Sequence, residues 1–132
     1  MTGKRAAVVA VVVVLLAAGG FAFLPWTANH FGYALPGAGG LPYRIHHAGR
    51  DYHSTMTCAG AGWCAGDQSP CVPPARFGGD ESSLTQVDEV STLFGPPHAV
   101  FLTRPVPAGT PLTVLVRAGP GCFVGYGLMG GP

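Results

Sequence analysis

The strongest pattern in the chain is one long run of apolar residues close to its N-terminus. Residues 6–24 carry no charged side chain and read AAVVAVVVVLLAAGGFAFL, directly behind Lys4 and Arg5. As a helix this run would be about 28 Å long, close to the hydrocarbon thickness of a bilayer. A helix satisfies its own backbone hydrogen bonds in lipid, which overrides the strand preference of the valines. The pattern predicts a transmembrane helix over residues 6–24.

The residues that flank the run predict its orientation. Lys4 and Arg5 belong to a basic start, residues 1–5, that we expect to remain cytoplasmic, and Trp26 follows at the outer interface. The protein is therefore expected to be single-pass in the cell membrane, with its C-terminal part extracytoplasmic. A cleaved secretory signal is the alternative, although its apolar region usually has only about 7–15 residues. Cleavage would make the protein a secreted one.

Proline and glycine interrupt the pattern immediately after the apolar run. Residues 25–42 hold three prolines and four glycines between isolated apolar side chains. Such punctuation argues against a helix and predicts a linker over residues 25–42. The remaining residues, 43–132, have the length of one small domain.

Short strands are the main elements predicted within residues 43–132. Residues 43–55 favour a β-hairpin that turns at Ala48-Gly49-Arg50, and residues 100–103 favour a strand. Residues 83–95 fit a short helix, through the capping pattern of Ser83 and Gln86, or a strand, through their β-branched residues.

The last two predicted strands, residues 112–117 and 122–128, flank a four-residue loop. That loop length pairs Leu115 with Val124 and places them on the core face. The predicted fold class is a single N-terminal transmembrane helix followed by a small, mostly-β or α+β, disulfide-bonded extracytoplasmic domain.

The cysteines predict how this domain is held together. All four lie after the apolar run, at Cys58, Cys64, Cys71 and Cys122. An even number of cysteines outside the cytoplasm predicts two disulfides. We favour the pairs 58–64 and 71–122, and all three possible pairings join Cys122 to residues 58–71. The wide spacings and the lack of Cys-x-x-Cys do not fit a zinc knuckle.

Charge limits the classes of partner. Residues 25–132 contain five arginines against six acidic residues, a net charge near −1. Because this balance cannot neutralise a row of phosphates, we expect no nucleic-acid partner. The expected partners are the lipid bilayer, through the helix, and a cell-envelope protein or polymer, for which Arg44, Arg50 and Tyr52 form one candidate surface.

Histidines of the first hairpin are the strongest candidates for chemistry. His47 and His53 could meet on one face beside Asp51, and two imidazoles with a carboxylate can bind zinc or copper. A hydrolytic site on the same histidines is a related alternative. No serine lies in a Gly-x-Ser-x-Gly elbow, and paired cysteines are not nucleophiles. We therefore expect no enzyme and no cofactor.

Residue usage gives a resemblance of composition and layout. Lys4, Asn29 and Ile45 are the sole Lys, Asn and Ile of the chain, while glycine and proline make up about a quarter of it. In this composition and in its layout, the chain resembles small membrane-anchored proteins of unknown function from high-GC Gram-positive bacteria. The resemblance implies a place in the bacterial cell envelope and assigns no functional residue. The expected function is a non-enzymatic binding or accessory module at the cell surface.

Overall fold

The computed structural model describes residues 2–37, 39–61, 63–64, 72–77, 80–102 and 109–130. These residues form one long helix and one antiparallel sheet of six strands, with short 3-10 turns at Pro74–Phe77 and Glu81–Ser83. The elements are α1 (Thr2–Phe31), β1 (Arg44–His47), β2 (Arg50–His53), β3 (Thr85–Thr92), β4 (Gly95–Leu102), β5 (Thr113–Gly119) and β6 (Cys122–Leu128). The predicted class, an apolar N-terminal helix before a mostly-β, disulfide-bonded domain, is confirmed.

Helix α1 continues beyond the apolar run, so the prediction that no helix extends into residues 25–42 is wrong. Pro25 lies inside α1, and the Asn29 amide donates to its carbonyl oxygen at 2.7 Å. Proline removes one helical N–H, which is a local loss that packing of the last turn can offset. The helix ends at Gly32, whose φ of 78° is the left-handed conformation that commonly terminates helices.

The segment after α1 is part of the folded domain and not a linker. Ala34 forms a parallel bridge with Thr92 of β3, donating its N–H to Ser91 at 2.7 Å and accepting from Leu93 at 2.9 Å. Ala34 and Leu41 are both buried in the hydrophobic core. The predicted domain boundary at residue 43 is therefore too late, because residues of α1 and of this segment complete the core.

The sheet is a half-barrel with the strand order β1-β2-β6-β5-β4-β3. Its two outer strands approach each other at one point, where His47 Nδ1 of β1 lies 2.9 Å from Asp88 Oδ2 of β3. The concave face buries a cluster of aliphatic and tyrosine side chains from all six strands, including Ile45, Tyr52, Val90, Val100, Val114, Val116, Val124 and Tyr126.

The first hairpin and the ambiguous segment both become antiparallel strands. The β1–β2 hairpin is confirmed, with a two-residue turn in which Ala48 and Gly49 have φ values of 49° and 76°. Residues 85–92 adopt the strand alternative. Strand β4 begins at Gly95, earlier than predicted, and includes Pro96 and Pro97. The prolines are tolerated because β4 pairs with β5 only from residue 100 onward, and its register with β3 shifts beside them.

The register of β5 and β6 differs by one residue from the prediction. The turn has only two residues, since Gly119 pairs with Cys122, and a bulge in β5 absorbs one more residue. Val116, not Leu115, therefore lies opposite Val124. A one-residue slip exchanges the two faces of a strand, so Val114 and Val116 enter the core. Leu115 remains buried on the convex face.

Cys58 and Cys64 form a disulfide, which confirms the favoured pairing for these two residues. Cys122 is disulfide-bonded as well, while Cys71 lies outside the described residues. The backbones of Val72 and Phe123 exchange two hydrogen bonds of 3.1 and 3.0 Å beside Cys122. Strand β6 is thus joined to the segment around residue 72 by its backbone.

Candidate functional site

The structure does not bring His47, His53 and Asp51 together. In the hairpin His47 pairs with Arg50, while His53 pairs with Arg44. His47 therefore lies on the concave face, whereas His53 and Asp51 lie on the convex face, because alternate strand residues point to opposite sides. Among the described residues, no group of three His, Cys, Asp or Glu is arranged to hold a metal ion.

His47 instead contacts Asp88, across the gap between the outer strands. The His47 side chain is 11% exposed and the Asp88 side chain 41%. Burial raises the pKa of Asp88, but the hydrogen bond from His47, the N–H of Glu89 and the charge of His47 outweigh it, so the pKa is lowered overall. The contact between His47 and Asp88 links the two outer strands of the half-barrel, β1 and β3.

The other hairpin side chains also have structural partners or little exposure. His46 Nδ1 contacts the Asp51 carboxylate across the two strands, largely in solvent. Tyr52, which the sequence placed on a candidate recognition surface, is fully buried and donates to the Pro111 carbonyl at 2.7 Å. Burial raises the pKa of Tyr52, despite the opposing charge of Arg50. Arg44 Nε is buried without a hydrogen-bond partner in the described part of the chain.

A groove opens where β4 and β5 diverge. Its volume is about 540 Å³, and its lining includes Phe94, Pro96, Pro97, His98, Arg117 and Pro120. His98 Nδ1 donates to the Arg117 carbonyl at 2.8 Å and so bridges the two strands at the point where their ladder ends. The Arg117 guanidinium contacts Glu81 at 3.1 Å. The groove is therefore lined mainly by apolar side chains, and the Arg117 guanidinium beside it is paired with Glu81.

Phe94 is a functional candidate that the sequence reasoning missed. It occupies the β3–β4 turn with 93% of its surface exposed and a φ of 57°. A residue other than glycine or asparagine in this conformation costs about 1–2 kcal/mol, and glycine is the usual residue there. The sequence feature that could have identified Phe94 is the apolar pair Leu93-Phe94, at a turn where a hairpin ordinarily has polar or small residues.

The junction between α1 and the sheet is a second feature that the sequence did not predict. The Asn29 side chain donates to the Cys58 carbonyl at 2.6 Å and accepts from the Tyr43 N–H at 2.7 Å. Thr27 bonds to the hydroxyl of Tyr33, and Ala28 is fully buried. These contacts fix the last turn of the helix to the domain.

Comparison with protein-family models, curated proteins and solved structures finds no match for this chain. Among the described residues, α1 is the one helix long and apolar enough to cross a membrane, and its most apolar stretch is wholly exposed. The features that bear on function are therefore α1, its junction with the sheet, and the exposed end of the sheet that carries Phe94.

Proposed function

We propose that the protein is a non-enzymatic binding or accessory module held at the outer face of the cell membrane by α1. The observation that carries this proposal is one uninterrupted helix with two environments. Its apolar part is exposed, for example at Val14 and Leu16, whereas Thr27 and Ala28 in its last turns are buried against the sheet. A helix that is apolar on all sides and contacts no protein requires a membrane or a partner to cover it.

The cysteines and the flanking charges support an extracytoplasmic domain. Disulfides such as Cys58–Cys64 persist outside the reducing cytoplasm. Lys4 and Arg5 precede the apolar run, and basic residues favour the cytoplasmic side. Both features favour an N-terminus inside and a domain outside.

A role without catalysis is supported by how the candidate reactive groups are engaged. His47 contacts Asp88, and His98 contacts a backbone carbonyl. None of the described cysteines is a free thiol. A small domain fixed at a membrane in this way is suited to bind a neighbouring envelope protein or polymer.

Epitope tagging tests the orientation. A C-terminal tag should react with antibody on intact cells from which the outer envelope layers have been removed. A matched N-terminal tag should react only after the membrane is permeabilised. Accessibility in the reverse order would contradict the proposed orientation, and a C-terminal tag in the culture medium would contradict anchoring.

Site-specific crosslinking in living cells tests the binding role. A photoreactive residue at Leu112, which is 67% exposed, should give a discrete light-dependent adduct with one envelope component. The matched control is Leu115, which is 1% exposed and should give none. Absence of adducts from Leu112 and from the exposed Met56 would contradict a binding role.

A further inference from the structure

Contacts between α1 and β1 define which end of the sheet faces the membrane segment of the helix. Asn29 bonds to the N–H of Tyr43, directly before β1. One turn later along the helix, a side-chain carbon at Gly32 would lie 3.0 Å from the Arg44 carbonyl and 3.3 Å from the Ile45 Cα. The end of α1 therefore runs in the same direction as β1, and the helix approaches the sheet from the end where β1 begins.

Strand direction then assigns every turn to one end. Because all neighbouring strands are antiparallel, β1, β6 and β4 run away from the membrane segment, and β2, β5 and β3 run back towards it. The β3–β4 and β5–β6 turns and the segment after β2 therefore share one end, which we call the helix-side end. The Asn29 contact with Cys58, which follows β2, agrees with this assignment.

The helix-side end lies very close to the end of the apolar run. Leu24 is the last residue of that run, and Thr27, three residues later, is already buried in the domain. Three helical residues advance about 4.5 Å, which is within the headgroup layer of a bilayer. A domain fixed to α1 at this distance lies against the lipid surface. The end of the sheet that faces the membrane segment makes the contact.

The chemistry of the helix-side end suits a lipid surface. Phe94 is 93% exposed there, and Trp63, beside the Cys58–Cys64 disulfide and in contact with the Tyr43 ring, is 58% exposed. Residues 93–97 and 118–121, which form and flank the two turns, contain no charged side chain. The opposite end carries Arg50 and Asp51 beside the β1–β2 turn. Tryptophan is enriched at membrane interfaces, an exposed phenylalanine gains by leaving water, and uncharged turns avoid the cost of desolvating ions.

We propose that the helix-side end rests on the outer leaflet of the bilayer that α1 crosses, with Phe94 and Trp63 placed among the lipid headgroups. This inference depends on the proposed membrane anchoring. Of the cations near this end, Arg117 is paired with Glu81 and Arg44 has its Nε buried, while the two turns carry no charge, so the contact is mainly apolar. It should therefore form equally on neutral and anionic lipid and persist at high salt.

Depth-dependent quenching by brominated lipids tests this placement in the full-length protein in nanodiscs. Both tryptophans are replaced by phenylalanine, and a single tryptophan is introduced as F94W or, as the matched control, L112W at the opposite end. We expect loss of emission and a blue shift for F94W with bromines near the headgroups, and neither for L112W. A protein that retains only Trp63 should behave as F94W does.

A protein that retains only Trp26 separates failure of the inference from failure of the anchoring. If Trp26 is quenched but F94W and Trp63 are not, the helix is inserted and the proposed lipid contact is wrong. Equal quenching of F94W and L112W would also overturn the proposed orientation. If Trp26 itself is not quenched, α1 is not in the bilayer and both proposals fail.

Discussion

Asn29 joins the end of α1 to the domain through both polar atoms of its amide. Its nitrogen donates to the Cys58 carbonyl, and its oxygen accepts from the Tyr43 N–H. The Cys58 carbonyl also accepts from the Ala61 N–H at 3.0 Å, whereas the acceptor of the Tyr43 N–H is Asn29. A buried polar group left without a partner is more costly than a hydrogen bond is favourable.

Replacing Asn29 with alanine should lower the free energy of unfolding by about 1–3 kcal/mol. Asn29→Asp retains the acceptor for Tyr43 but places a carboxylate oxygen against the Pro25 and Cys58 carbonyls, so it should also destabilise the domain. The measurement is urea-induced unfolding of the domain in detergent micelles. His30→Ala, at an exposed neighbouring position, is the matched control. Equal stability of the Asn29 and His30 variants would show that the amide does not fix the junction.

Phe94 is expected to lower the stability of the folded domain, because its backbone is held in the left-handed conformation. Asparagine adopts the left-handed conformation more readily than phenylalanine. Phe94→Asn should therefore raise the free energy of unfolding in detergent by about 1 kcal/mol, and the melting temperature should rise with it. The same substitution should weaken contact with lipid. Calorimetry measures the first effect, and Leu93→Asn, next to it in the turn, serves as the control. A lower melting temperature for Phe94→Asn would mean that the side chain stabilises the domain itself.

Asp88 makes stability depend on pH in a defined direction. Its pKa is lower in the folded protein than the value of about 3.9 expected when unfolded. The carboxylate therefore favours folding above that value, and its contribution is lost as pH falls through the folded pKa. Asp88→Asn should melt below the wild type at neutral pH, with the difference shrinking towards pH 3. Glu89→Gln, the exposed neighbour, should show no such trend, and a constant difference for Asp88→Asn would exclude this role.

The two disulfides should contribute unequally to the free energy of unfolding. The Cys58–Cys64 bridge closes a short loop and should stabilise by about 2 kcal/mol in the chain-entropy model. The bridge of Cys122, in the predicted pairing with Cys71, closes a loop of some fifty residues, worth about 4 kcal/mol in the same model. Cys122→Ser should therefore lower the melting temperature more than the double variant Cys58→Ser, Cys64→Ser. The reverse order would contradict this ranking.

The elements differ in how well the sequence predicts them. The apolar run and the turn at Ala48-Gly49 are local signals, and the structure confirms a helix at the first and a hairpin turn at the second. The one-residue difference between the predicted and the observed register of β5 and β6 arises from a bulge near Arg117. The alternation of apolar residues does not reveal this bulge, because β5 has apolar residues on both of its faces. The extension of α1 through Pro25 depends on contacts of Asn29 with residues far along the chain. Such tertiary contacts override the local tendency of proline to end a helix.

The helix and the half-barrel form one continuous body. Thr27 and Ala28 are buried, and Asn29 bonds to Tyr43 and Cys58, so the last turns of α1 are attached directly to the domain. The orientation of the domain is then determined by the helix, and the sequence alone could not predict it. The candidate site was equally hidden, because Phe94 and Trp63 are brought to one end only by strand direction and by the disulfide.

The central claim is that α1 is retained and continues into a disulfide-bonded domain outside the cytoplasm. The most direct measurement is the intact mass of the protein from its native host, alkylated without reduction and recovered from the membrane fraction. We expect a full-length chain that lacks the hydrogens of two disulfides and carries no alkyl group on its four cysteines. A chain shortened at its N-terminus and found in the medium, or one with alkylated cysteines, would contradict the claim.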